Sequence, residues 1–101
     1  MVVKITGENF ESVVMNSEKP VLIDFYATWC GPCQMVSPIV DEIAEENPQY
    51  VVGKIDVDEE QQLAMRFGIV SIPTLICVKN GKIAAKQVGF AQKERILEML
   101  K

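Results

Sequence analysis

The chain has 101 residues, the usual size of one domain, so residues 1–101 are expected to share a single core. Apolar residues make up 49% and charged residues 24%, a globular mix that excludes a disordered chain. With 10 basic and 14 acidic side chains the net charge is −4, and the basic residues are scattered, which argues against binding nucleic acid or an anionic membrane.

The composition excludes more. There is no His, so imidazole acid–base chemistry, His-containing triads and His metal sites are ruled out. The first residues lack the charged start and apolar stretch of a signal peptide. No apolar run approaches the ~20 residues of a membrane helix. The expected setting is the cytoplasm. Three Cys is too few, and odd in number, for a secreted disulfide framework.

In chain order, residues 2–5 read as a short strand. Thr6 is placed to cap a helix whose inner face carries Phe10, Val13 and Val14. Residues 21–26 form a near-continuous apolar run broken only by Asp24, as in a strand buried on both faces. From about 30 to 46, Val36, Ile39, Val40 and Ile43 recur at helical spacing, with Gln34, Asp41, Glu42 and Glu45 opposite. Pro38 predicts a kink in that helix, and Asn47-Pro48 its end. A third strand is expected at 51–57 and a short helix at 59–67, closed by Gly68 at positive φ. Strands at 74–78 and 83–88 are joined across Asn80-Gly81, a strong hairpin signal. A last helix covers 92–100, with Ile96, Leu97 and Leu100 inward. The alternation implies an α/β fold with helices on both faces of a mixed sheet. Periodicity does not give the strand order.

The chemistry is concentrated in Trp29-Cys30-Gly31-Pro32-Cys33, where a short loop delivers Cys30 to a helix start. Helical α-carbons three apart lie ~5 Å from each other, inside the ~4.4–6.8 Å range of a disulfide. The two sulfurs can therefore bond and separate with little backbone movement. Pro32 suits the first turn, where its missing N–H costs nothing, and stiffens the loop. Attack on a disulfide needs a thiolate. Lowering a thiol from its usual ~8.5 by about 1.5 units takes ~2 kcal/mol. A helix dipole supplies only ~0.3–1 kcal/mol, so first-turn N–H groups are expected to bond the Cys30 sulfur as well. Cys30 is expected to be exposed and reactive, with Cys33 more buried. Zinc is the competing use of such a pair, but it needs four ligands. This chain adds only Cys77, 44 positions beyond Cys33, which reads as a small buried hydrophobe.

The chain resembles the thioredoxin family over essentially its whole length. The matching residues are Asp24-Phe25, Trp29-Cys30-Gly31-Pro32-Cys33, Pro38, Lys54-Ile55-Asp56-Val57-Asp58, Gly68-Ile69, Ile72-Pro73-Thr74, Lys79-Asn80-Gly81 and Val88-Gly89. The resemblance implies the thioredoxin fold: a five-stranded mixed sheet in the order 1-3-2-4-5, four helices, and the last two strands antiparallel to the first three. It implies a general protein disulfide reductase with no bound cofactor, cycling through a redox-active Cys30–Cys33 disulfide. Its partners would be a flavoprotein reductase and disulfide-containing client proteins, and the protein itself a monomer. Cys30 would be the nucleophile and Cys33 the resolving thiol, with Gly31, Pro32 and Lys54 tuning the potential.

Asp24 by itself reads as an ordinary polar strand residue or a partner of Lys54. Between Ile23 and Phe25 it loses hydration, so its pKa should rise. With the motif beside it, it becomes the group that takes the Cys33 proton. Pro73 alone reads as a turn proline. The resemblance implies a cis Ile72–Pro73 bond beside the sulfurs, where Ile72 could pair with an extended client strand. Trp29, Gly68-Ile69, Ile72, Pro73 and Gly89-Phe90 would form a docking rim. The run Asp58-Glu59-Glu60 reads as a solvated helix start. Two departures stand out from the family pattern: Tyr26 where a second Trp is usual, and Gln34 where a basic residue is common.

Overall fold

The apolar run 21–26 forms the central strand of a five-stranded sheet, as its burial on both faces requires. The structure, a computed structural model, describes residues 1–101. The elements are β1 (Val2–Lys4), α1 (Glu11–Met15), β2 (Val21–Tyr26), α2 (Gly31–Glu46), β3 (Val51–Asp56), α3 (Gln61–Arg66), β4 (Thr74–Lys79), β5 (Lys82–Val88) and α4 (Lys93–Leu100). The strand order is β1-β3-β2-β4-β5.

β1 and β2 both pair parallel with β3, β4 pairs antiparallel with β2, and β5 antiparallel with β4. This corrects one expectation. β4 alone runs against β1–β3, because a two-residue hairpin must reverse the chain and so returns β5 to their direction. Asn80 and Gly81 make that turn at φ 52° and 76°, the paired positive values of a type I′ hairpin.

Side-chain alternation along β2 sorts two cores. Leu22 joins Val52, Leu75 and Cys77 beneath α2 and α4, which contribute Val36, Val40, Ile43, Ile96, Met99 and Leu100. Val21, Ile23 and Phe25 face the other way, onto Phe10, Val14 and Leu63 around α1 and α3. Fully burying each such large side chain contributes roughly 1.5–3 kcal/mol. Asp24 therefore points, with Leu22, toward α2. Cys77 is fully buried in the first core, as expected of a small hydrophobe.

Local differences have local causes. Thr6 does not cap α1: its own N–H donates to the Asn9 side chain at 2.7 Å, and the Asn9 amide donates to the Lys4 carbonyl. α1 is a single wide π-type turn, with the Asn16 N–H reaching back to the Glu11 carbonyl. Phe10 and Val14 still face inward. α2 continues unbroken through Pro38 and ends where the Asn47 backbone and side chain both donate to the Ile43 carbonyl. α3 starts later than expected, since the Asp56 carboxylate accepts the Asp58 N–H at 2.9 Å and the Glu59 N–H at 3.4 Å, holding a turn there. Gly68 closes it at φ 65°.

Candidate active site

Cys30 is the N-cap of α2, with extended backbone at φ −90° and ψ 113°. Its N–H donates to the Ala27 carbonyl, which makes the tight turn between β2 and the helix. The Cys33 N–H donates to the Cys30 Sγ at 3.2 Å, so a first-turn amide meets that sulfur as the thiolate argument requires. The α-carbons of Cys30 and Cys33 are 5.2 Å apart and their sulfurs are bonded. Gly31 and Pro32 form the exposed first turn between them. Gln34 reaches back, donating its side-chain amide to the Thr28 carbonyl at 3.1 Å, and so ties the loop to the helix.

The expected contrast in exposure is absent. Cys30 is 5% exposed and Cys33 3%. Both sit with Ala27 in a small cluster covered by Tyr26, Val57 and Ile72. Across from them the Ile72–Pro73 bond is cis, and the Ile72 carbonyl oxygen lies 3.9 Å from the Cys30 Sγ. Gly89, at φ 86°, donates its N–H to the Pro73 carbonyl, anchoring the end of β5 to this loop. The cis bond, the two sulfurs and Gly89 thus come together from three separate elements.

Trp29 is 71% exposed, so it is no core residue. Its indole N–H donates to Asp58 at 2.8 Å. The acidic run does lead into α3 with Asp58 and Glu59 exposed, as expected, and each member also has its own partner. Asp58 holds Trp29, Glu59 pairs with Lys4 at 3.2 Å, and Glu60 accepts the Gly7 N–H at 2.9 Å. Acids at a helix start suggest a dipole interaction, so the sequence carried no signal for these contacts.

Asp24 is 1% exposed, and neither carboxylate oxygen has a hydrogen-bond partner. Burial pushes its pKa up to about 7, against a lowering pull from Lys54 and with a smaller push from Asp41. A cavity of about 270 Å³ lies beside it, lined by Asp24, Tyr26, Cys33, Ser37 and Lys54 among others. Asp24 and Cys33 thus line one cavity. Lys54 does not pair with Asp24; its ammonium donates to the Ser37 hydroxyl and lies 3.4 Å from Asp41. The sequence pattern does not single out Ser37, and it places Asp41 only on the polar face of the helix, with no tie to Lys54. No group of three or more Cys, His, Asp or Glu side chains is gathered anywhere in a way that could hold a metal ion. No helix is long and apolar enough to cross a membrane.

The arrangement is suited to thiol–disulfide exchange: a sulfur at a helix start, a second sulfur one turn on, and a buried carboxyl lining the same cavity as the second. The thioredoxin family model matches residues 1–101. The chain is 45% identical over 100 residues to a thioredoxin of Haemophilus influenzae, covering 98% of this chain and 94% of that one. It is 46% identical over 99 residues to a thioredoxin of Mycobacterium bovis, covering 97% and 85%. It also matches a bifunctional thioredoxin reductase/thioredoxin of Mycobacterium leprae, at 44% over 99 residues, which is 22% of that protein's length. Likeness of this extent, together with a bonded cysteine pair poised for exchange, means that the chain belongs to the thioredoxin family and is a protein thiol–disulfide oxidoreductase.

Proposed function

We propose that the 101-residue chain acts as one monomeric domain in the cytoplasm, carrying electrons from a flavoprotein thioredoxin reductase to client protein disulfides. The Mycobacterium leprae relative, named for both activities, supports a reductase as the electron source. In the reduced protein the Cys30 thiolate attacks a client disulfide. A bond forms from Cys30 to one client sulfur, and the other client sulfur leaves as a thiolate and takes a proton. Cys33 passes its proton to the Asp24 carboxylate and attacks the Cys30 sulfur. The Cys30–Cys33 bond forms, the second client thiolate leaves, and the client has gained two electrons. Gly31, Pro32 and Lys54 tune the potential. Trp29, Ile72, Pro73 and Gly89 dock the client, whose extended strand pairs with the Ile72 backbone.

The observation that carries these roles is the Cys33 N–H directed at the Cys30 Sγ on the helix N-cap. It stabilises negative charge on Cys30 and on no other sulfur in the chain. Carboxymethylation of the fully reduced protein near neutral pH, mapped by peptide mass, should therefore modify Cys30 well before Cys33 and leave buried Cys77 last. Equal rates at Cys30 and Cys33 would remove the assignment of nucleophile and resolving thiol.

A further inference from the structure

Asp24 and Lys54 are register partners on adjacent parallel strands, and both side chains point to the face under α2. A buried carboxylate beside an ammonium is expected to capture it, since opposite charges in a poorly solvated space attract strongly. It does not. Both Asp24 oxygens lack a partner, and the Lys54 ammonium is turned onto α2. There it donates to Ser37 and lies 3.4 Å from the Asp41 carboxylate. Cys33, Ser37 and Asp41 are spaced four apart, so they form one stripe along the helix, with Cys33 and Ser37 lining the cavity and Asp41 exposed beyond them.

We propose that Ser37 and Asp41 are positioning residues that hold the Lys54 ammonium off Asp24, leaving that carboxylate free to accept the Cys33 proton. The inference rests on the reading of Asp24 as the proton acceptor. Were Lys54 to close on Asp24, it would stabilise the anion and make it a weaker base toward the thiol. Held on α2, the ammonium leaves a carboxylate that is buried, unpartnered and proton-seeking. The charged and titratable groups facing Asp24 are Lys54 from β3, Cys33 and Asp41 from α2, and Tyr26 from its own strand. Its β4 partner, Leu75, brings no charge. Asp41 acts both by holding Lys54 and by its own charge. Ser37 is neutral and acts by holding alone, so it gives the cleaner test.

The experiment follows the Asp24 carboxyl of the full-length oxidised protein by carbon-13 NMR as pH is varied. Ser37→Ala keeps the fold, since Ala is the best helix former. It should lower the Asp24 midpoint by about one pH unit, a tenfold change in its ionisation constant. Ser37→Thr restores the hydroxyl and should restore the midpoint. In a Lys54→Met background Ser37→Ala should move nothing, because no ammonium is left to release. A wild-type midpoint in Ser37→Ala would overturn the proposal, and so would an equal shift with Lys54 removed. The reading of Asp24 as proton acceptor fails separately, if Asp24→Asn resolves mixed disulfides at the wild-type rate.

Discussion

Replacing Asp24 by Asn should stabilise the oxidised protein by about 2–4 kcal/mol at pH 8.5 and by almost nothing at pH 4.5. Asp24 is 1% exposed and both its oxygens are unpartnered. Its pKa is about 7 in the folded chain against 3.8 for an ordinary Asp, and burial is the main cause. The folded state therefore keeps a proton that the unfolded chain has released. Stability is whole below about pH 4, falls as pH rises through 7, and is constant above. At 1.36 kcal/mol per unit, the charged form costs about 4 kcal/mol once ionised. Asn matches the shape and never ionises. Its amide N–H groups also lack a partner, which takes back about 1–2 kcal/mol. Urea midpoints of both proteins at the two pH values measure the difference. Curves that stay parallel across this range would mean that the carboxyl is not held in a poorly solvated site.

The residues that read clearly in the sequence are those whose behaviour is set within a few positions. The 21–26 run, the periodicity of α2, the Asn80-Gly81 hairpin and the spacing of Cys30 and Cys33 are all of this kind. Strand order is not local, and it came from resemblance; so did the cis bond at Pro73. Even so, β5 runs opposite to the direction that resemblance implies, although the hairpin alone determines it. Cys30 is buried, against expectation, because part of its cover comes from Val57 and from Ile72, which is 42 positions away. Trp29 with Asp58, and Lys54 with Ser37, are choices among rotamers made only once β3, α2 and the loop before α3 have met. No propensity or spacing rule records them. Burial of Asp24, in contrast, was readable from the near-continuous apolar run around it, because a strand buried on both faces leaves neither face to water.

The largest catalytic effect is expected from separating the two cysteines by mutation, and the two variants should fail differently. Cys30→Ser should lose reduction of a model protein disulfide, with a dithiol as electron source, on the order of 10³-fold or more, since a serine hydroxyl does not displace sulfur. Cys33→Ser should also fail to turn over, but for a different reason. Its Cys30 remains at the N-cap of α2, still bonded by the residue-33 N–H, because that donor is backbone and survives the change. Capture of the client therefore continues while release stops. Stoichiometric mixed disulfide should accumulate, visible as a reducible mass adduct at residue 30. The pair distinguishes the proposed order of attack from its reverse. If Cys30→Ser were the variant that trapped client, residue 33 would be the attacking thiol, and the helix-start hydrogen bond would have been assigned to the wrong sulfur.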